Sequence, residues 1–217
     1  WKRGDLAGVL QRLAVAFGGS LVVALGAWGL YGGGHVLAIL GMGLGAWLAI
    51  GSLVYLGERI RLFSDPRQSF AQLRRLPGAA WGTAVAHFGM ALVVFGITAS
   101  TAWEAEELTV MGFGGETQVG PYTFTFLGTE EIEGPNYLAR RGYFHVARNG
   151  VFVVELAPES RNYPTPPMET TEAAIYPMVR GDLYAVVGDP DGKGGWSARL
   201  YYKPLINLLW LGGLVMV

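Results

Sequence analysis

Three long stretches of this chain carry no charged residue, and nothing else in the sequence limits the possible folds as much. They run from Leu13 to Tyr31, from Val36 to Leu56 and from Pro77 to Trp103. A helix that crosses the hydrocarbon core needs about 20 mostly apolar residues at about 1.5 Å rise each, so each stretch predicts a transmembrane span. A last apolar run, Pro204 to Val217, is 14 residues long and predicts the start of a fourth span. Charged residues make up 15% of the 217, below the roughly 25% of ordinary soluble domains. They are concentrated between the apolar stretches.

The placement of basic residues predicts an orientation. Between the second and third stretches, Arg59, Arg61, Arg67, Arg74 and Arg75 face only Glu58 and Asp65, and Lys2, Arg3 and Arg12 flank the first stretch. The turn Gly32 to His35 has no Lys or Arg. The positive-inside rule makes the arginine loop, residues 57–82, cytoplasmic. The third span then runs outward and delivers the segment after it to the outer face. Within the loop, Ser64-Asp65-Pro66 reads as a helix start. Phe70, Leu73 and Leu76 recur at helical spacing beside Arg74 and Arg75, as expected of a short helix in the membrane interface.

The outer segment reads as strands. Tyr122, Phe124 and Phe126 alternate with Thr123, Thr125 and Leu127. Tyr143–Arg148 and Val151–Leu156 flank Asn149-Gly150, a strong hairpin signal. Further strands are expected at Glu172–Tyr176, Asp182–Val187 and Trp196–Tyr202, and Asp189 to Gly195 reads as a loop. The segment carries 14 acidic and 8 basic residues, which disfavours nucleic acid as a partner. The chain has no cysteine, hence no disulfide, thiolate metal site or cysteine nucleophile. It opens on Trp1 and closes on an apolar Val217, as expected of the C-terminal part of a longer membrane protein.

The expected fold is therefore a polytopic α-helical membrane protein with a small antiparallel β domain, a sheet or a barrel, inserted on its outer face. Residues 1–101 hold three spans and the basic loop, 102–203 the β domain, and 204–217 the start of a further span.

Among residues that could carry chemistry, His87 stands out, because an ionisable side chain inside a span is costly and marks function by default. Neutral imidazole is a common haem ligand. Ala80, Thr83, Ala84 and Ala91 share its helical face and would let either a macrocycle or a neighbouring helix come close. His87 is thus either an iron ligand or a residue hydrogen-bonded to another helix. His35 reads as a solvated helix start and His145 as an ordinary strand residue. Three prolines at positions 164, 166 and 167 fix an extended path after Arg161-Asn162-Tyr163, suited to covering a sheet edge or docking a partner. No zinc-protease, nucleophile-elbow, P-loop or dinucleotide motif occurs.

Several runs together resemble a known family. They are Arg161-Asn162-Tyr163-Pro164, Thr170-Thr171-Glu172-Ala173-Ala174-Ile175, Asp182-Leu183-Tyr184-Ala185-Val186-Val187-Gly188, and Trp196 through Pro204. With Leu209-Trp210-Leu211-Gly212-Gly213 and Ala86-His87-Phe88-Gly89, they are similar in content and order to the C-terminal part of the cytochrome c-type biogenesis family CcmF, the haem lyase component of a maturation system. A weaker likeness is to paralogues serving nitrite reductase maturation. The resemblance implies an inner-membrane, multi-pass protein with its β domain in the periplasm, attaching haem covalently to apocytochrome c. It implies work with a membrane-anchored haem chaperone and a thiol-reducing partner. It also implies a b-type haem (haem b) held between membrane helices, with His87 in the position of one axial ligand. The family's tryptophan-rich haem-handling segment and the second membrane histidine have no counterpart here, so no catalytic residue is assigned. Two other classes compete: a transporter, and a structural anchor presenting a partner-binding β domain. A transporter would show Gly/Pro-broken spans around a polar midplane site, whereas the first two spans contain neither proline nor charge.

Overall fold

A computed structural model describes the backbone of residues 6–31, 36–62 and 66–217. It divides into two compact units, residues 1–102 with 205–217, and residues 103–204.

The first unit is helical: α1 (Leu6–Tyr31), α2 (Val36–Arg59), the short α3 (Pro66–Leu73), α4 (Gly78–Ala102) and α5 (Asn207–Met216). Helices α2 and α4 are long and apolar enough to cross a membrane; shorter apolar helical stretches lie at Leu13–Gly29 and Asn207–Met216. The large apolar side chains of α2 mostly point outward, Leu37, Leu40, Leu44 and Leu53 among them, while its buried positions are small: Ala38, Gly45, Ala46 and Ser52. In hydrocarbon there is no hydrophobic gain from burying leucine against leucine, so helices associate through small residues that let backbones approach. The expected helix start at Pro66 is present in α3. Its capping residues Ser64 and Asp65 lie outside the described residues, as does His35.

Among the described residues, α4 and α5 approach each other backbone to backbone at their glycines. A Cβ built on Gly212 would stand 2.4 Å from the Gly89 carbonyl oxygen, and one on Gly96 would stand 2.5 Å from the Leu209 amide nitrogen. These are contacts of backbone with backbone.

The second unit is a two-sheet sandwich, which settles the alternative of sheet or barrel in favour of neither. One sheet has four strands, β1 (Ala105–Met111), β10 (Trp196–Pro204), β9 (Gly181–Pro190) and β8 (Ala174–Tyr176), adjacent in that order. The other runs β2 (Glu116–Val119), β3 (Tyr122–Glu133), β4 (Leu138–Arg148), β6 (Glu159–Pro164) and β7 (Pro167–Glu172), with β5 (Val151–Leu156) also paired to β4. All pairings are antiparallel. The alternation seen around Tyr122 has its reason here: Phe124 and Phe126 are fully buried, and with Phe144, Val146, Leu183, Val187 and Leu200 they fill the space between the sheets. Asn149 and Gly150 both take positive φ, 52° and 76°, as a tight hairpin with matching twist requires.

Two expectations need correction. The stretch Glu172 to Tyr176 is not one strand: β7 ends at Glu172 and β8 begins at Ala174, so the chain changes sheets there. The proline-rich stretch is built into the sheet rather than laid over it, and the strand it opens, β7, is itself the edge strand beside β6. Pro164 closes β6 and Pro167 opens β7, with Thr165 and Pro166 at the hairpin turn. Proline lacks the N–H that a ladder needs, and a turn is where that loss costs least.

Candidate functional site

His87 lies on α4, and its Nδ1 donates a hydrogen bond to the Thr83 carbonyl oxygen at 2.7 Å. A carbonyl can only accept, so Nδ1 carries a proton, and in the neutral ring Nε2 is then the nitrogen with the free lone pair. That is the tautomer an iron ligand needs, held by a backbone partner one turn away. The ring forms part of a cleft of about 240 Å3. Trp47, Gly51, Ser52 and Tyr55 of α2 face it across the cleft, beside Thr83 and Ala84 of α4.

The cleft is smaller than the roughly 300–1,000 Å3 of complete small-molecule sites, and His87 is exposed. These residues therefore provide one wall and one donor nitrogen rather than a closed pocket. A planar group with a metal needing a neutral nitrogen ligand fits this donor set. Ala80 and Ala91, expected to leave room for a macrocycle, are instead 3% and 0% exposed: they are occupied by helix packing. Of the four small residues on the face of His87, only Thr83 and Ala84 line the cleft. The α2 side was not read from the sequence. Its signal was present in Trp47, Gly51 and Tyr55, which recur every four residues and so share one helix face.

His145 sits on β4, partly exposed, with its ring 4.8 Å from that of Phe152. It is a strand residue packed on an aromatic neighbour, away from any cluster of potential metal ligands among the described residues.

In the β unit, Arg161-Asn162-Tyr163 forms a structural hub. Glu159, 7% exposed, accepts hydrogen bonds from Arg141 Nε and Arg161 Nε, both at 2.8 Å. The Arg161 guanidinium also lies 4.5 Å over the Tyr137 ring, which contacts Tyr163 at 5.3 Å. Burial alone would raise the Glu159 pKa, but the two guanidiniums outweigh it and hold the carboxyl below its usual range, while the Arg141 and Arg161 values rise. A depressed carboxylate pKa contributes stability that is fully present above the unfolded value, about 4.3, and is lost as pH falls through the lower folded value. Glu159→Gln is therefore expected to lower the stability of the β unit by about 1–3 kcal/mol at neutral pH, since both arginines are partly solvated. The gap between variant and parent should close on acidification, as followed by intrinsic tryptophan fluorescence. A gap that stayed constant with pH would assign the loss to packing.

Residues 102–204 match the family described as the CcmF C-terminal beta-sandwich. Over its whole length the chain is 41% identical to the cytochrome c-type biogenesis protein CycK of Rhizobium meliloti (strain 1021), covering 32% of that protein. It is 31% identical to the cytochrome c-type biogenesis protein CcmF of Escherichia coli (strain K12), again covering 32%. The solved structure "Cytochrome c Heme Lyase CcmF" shares the fold, with a TM-score of 0.69 at 23% identity over the whole of this chain and 34% of that one.

Proposed function

Since the chain belongs to the CcmF family of cytochrome c-type biogenesis proteins and spans about a third of its relatives' length, we propose that it is the part of a haem lyase that holds a b-type haem in the membrane through His87 and presents a β domain to partners outside. The observation that carries this is the fixed tautomer: Nδ1 is engaged by Thr83, leaving Nε2 for iron.

Each residue has a task this chain can perform. The Thr83 carbonyl orients the imidazole and increases its basicity through the Nδ1–H bond. The Trp47 and Gly51 side of the cleft keeps that face of the site apolar. A bound haem supplies one-electron redox chemistry at its iron, tuned by the ligand and its surroundings. A histidine from a part of the protein outside this chain would supply the other nitrogen to the iron. Attachment of haem to apocytochrome c takes place at the periplasmic face, where the β domain meets apocytochrome c, a membrane-anchored haem chaperone and a thiol-reducing partner.

The reduced-minus-oxidised visible spectrum of the purified whole protein tests this reading. A b-type signal in stoichiometric amount is expected, and a haem-free protein that still supports cytochrome c maturation would overturn it. His145→Ala should leave haem content unchanged, because that ring already packs on Phe152 in the β unit. A loss of haem in that variant would move the site out of the helices.

A further inference from the structure

The cleft at His87 leads along α2 to a cation. Gly41 lies against Thr98 and Gly45 against Phe95, so α2 and α4 run antiparallel. That brings His87 level with Gly51 and Ser52, which line the same cleft, and leaves Tyr55 about one turn further along α2. Trp47, Gly51, Tyr55 and Arg59 recur every four residues and form one stripe on the helix. Arg59, in the last turn of α2, holds its guanidinium 5.0 Å over the Tyr55 ring. Helix side chains lean toward the N-terminus, and this one leans back toward the cleft.

The stripe changes chemistry along its length. It begins at the indole of Trp47, which lines the cleft. At Gly51 the backbone is bare: a Cβ there would meet nothing nearer than Trp47 Cδ1, 3.9 Å away. A flat group can therefore lie close to the helix at the level of His87. Beyond Tyr55 stands an exposed guanidinium, which is always charged. From Gly51 to Arg59 the helix rises about 12 Å, and the backward lean of Arg59 brings its charge nearer than that. A ligand matched to this stripe is flat, apolar at one edge and anionic at the other.

We propose that Arg59 pairs with the ionised carboxylates of the haem held at His87, and so fixes which edge of the macrocycle faces the C-terminal end of α2. Haem b carries its carboxylate arms on one edge and apolar substituents on the opposite edge, which suits the order from Trp47 to Arg59. An ionised carboxylate beside hydrocarbon needs a partner, and a guanidinium offers it a planar fork of donors. Tyr55 presents that fork, because stacking occupies the face of the guanidinium and leaves the N–H groups at its rim to bond. The inference rests on haem being bound at His87.

The test compares haemin with its dimethyl ester, which has the same iron and ring but no ionisable carboxyl. Each is titrated into the whole protein, purified haem-free, and binding is followed by the Soret band. The parent should bind haemin about ten- to a hundredfold more tightly than the ester, the range of a hydrogen bond between charged groups. Arg59→Gln should lose most of that preference by weakening haemin alone, with the ester bound as in the parent. Arg59→Lys should keep part of it. The midpoint potential of the bound haem should fall in Arg59→Gln, because losing a nearby cation favours the ferric state, and should recover in Arg59→Lys. Equal weakening of haemin and ester in Arg59→Gln would overturn the inference and leave Arg59 a contact at the helix end. So would a preference lost in Arg61→Gln and retained in Arg59→Gln. If the parent binds haemin and ester equally well, the pairing fails alone; if it binds neither, the haem reading of His87 fails with it.

Discussion

His87→Ala in the whole protein is expected to reduce bound b-type haem to a small fraction of the parent and to abolish cytochrome c maturation with it. The size of the effect follows from the donor count. Among the described residues no cluster of three or more potential ligands exists that could take over, and the cleft beside His87 supplies one nitrogen. Removing the imidazole leaves the Thr83 carbonyl without its side-chain donor, but that carbonyl lies in a regular helix and needs no replacement. The helix is therefore expected to survive the change. His87→Gly should regain part of the haem spectrum with added imidazole, because the vacated space and the Thr83 acceptor both remain. Full haem occupancy with an unchanged Soret band in the alanine variant would show that His87 only contacts a neighbouring helix.

The second large effect is expected at the contact between α4 and α5. Gly212→Val places a side chain where a Cβ would already be 2.4 Å from the Gly89 carbonyl oxygen. No rotamer relieves this, because the obstacle is backbone; the two helices must separate. Overpacking of this kind costs about 1–3 kcal/mol where neighbours can shift, and here they shift least. Gly213→Val is the control: a Cβ at Gly213 meets nothing within 4 Å. Thermal denaturation in detergent should show a clear drop for Gly212→Val and little change for Gly213→Val. Haem content should also fall in Gly212→Val, since Gly89 is two residues from His87. Matching denaturation curves for the two variants would mean that the close approach does not exist in the protein.

That pair of glycines also shows where sequence reading stops. Gly212 and Gly213 are adjacent, identical in type and set in the same apolar run, yet one touches backbone and the other touches nothing. Only the partner helix distinguishes them. Features set by local chemistry were legible: the uncharged runs became helices, and Asn149-Gly150 became a hairpin because its positive φ values suit those residues. His87 was legible as an anomaly, one imidazole in an uncharged stretch. Its tautomer was not, because the acceptor is a main-chain oxygen that leaves no mark in the sequence. Strand β1 went unread although Leu108 and Val110 alternate with Glu107 and Thr109. Leu108 and Val110 point outward, 65% and 55% exposed, so their alternation did not mark a core. The small residues around His87 fit a macrocycle or a helix equally well, and packing assigned Ala80 and Ala91 to the helix.

The pairing of β1 with β10 has a mechanical consequence. The two strands are antiparallel neighbours through seven residue pairs, Ala105↔Tyr202 to Met111↔Trp196, and the chain enters one and leaves the other at the same end. A force that drew the ends of α4 and α5 apart would open this ladder one rung at a time, like a zipper. It would not have to shear all the rungs together, which is the stronger geometry. The β1–β10 ladder is therefore mechanically weak toward a pull on its two chain ends. The approach of the two helices is set inside the helical unit itself, where Gly212 meets the Gly89 backbone and Gly96 meets that of Leu209.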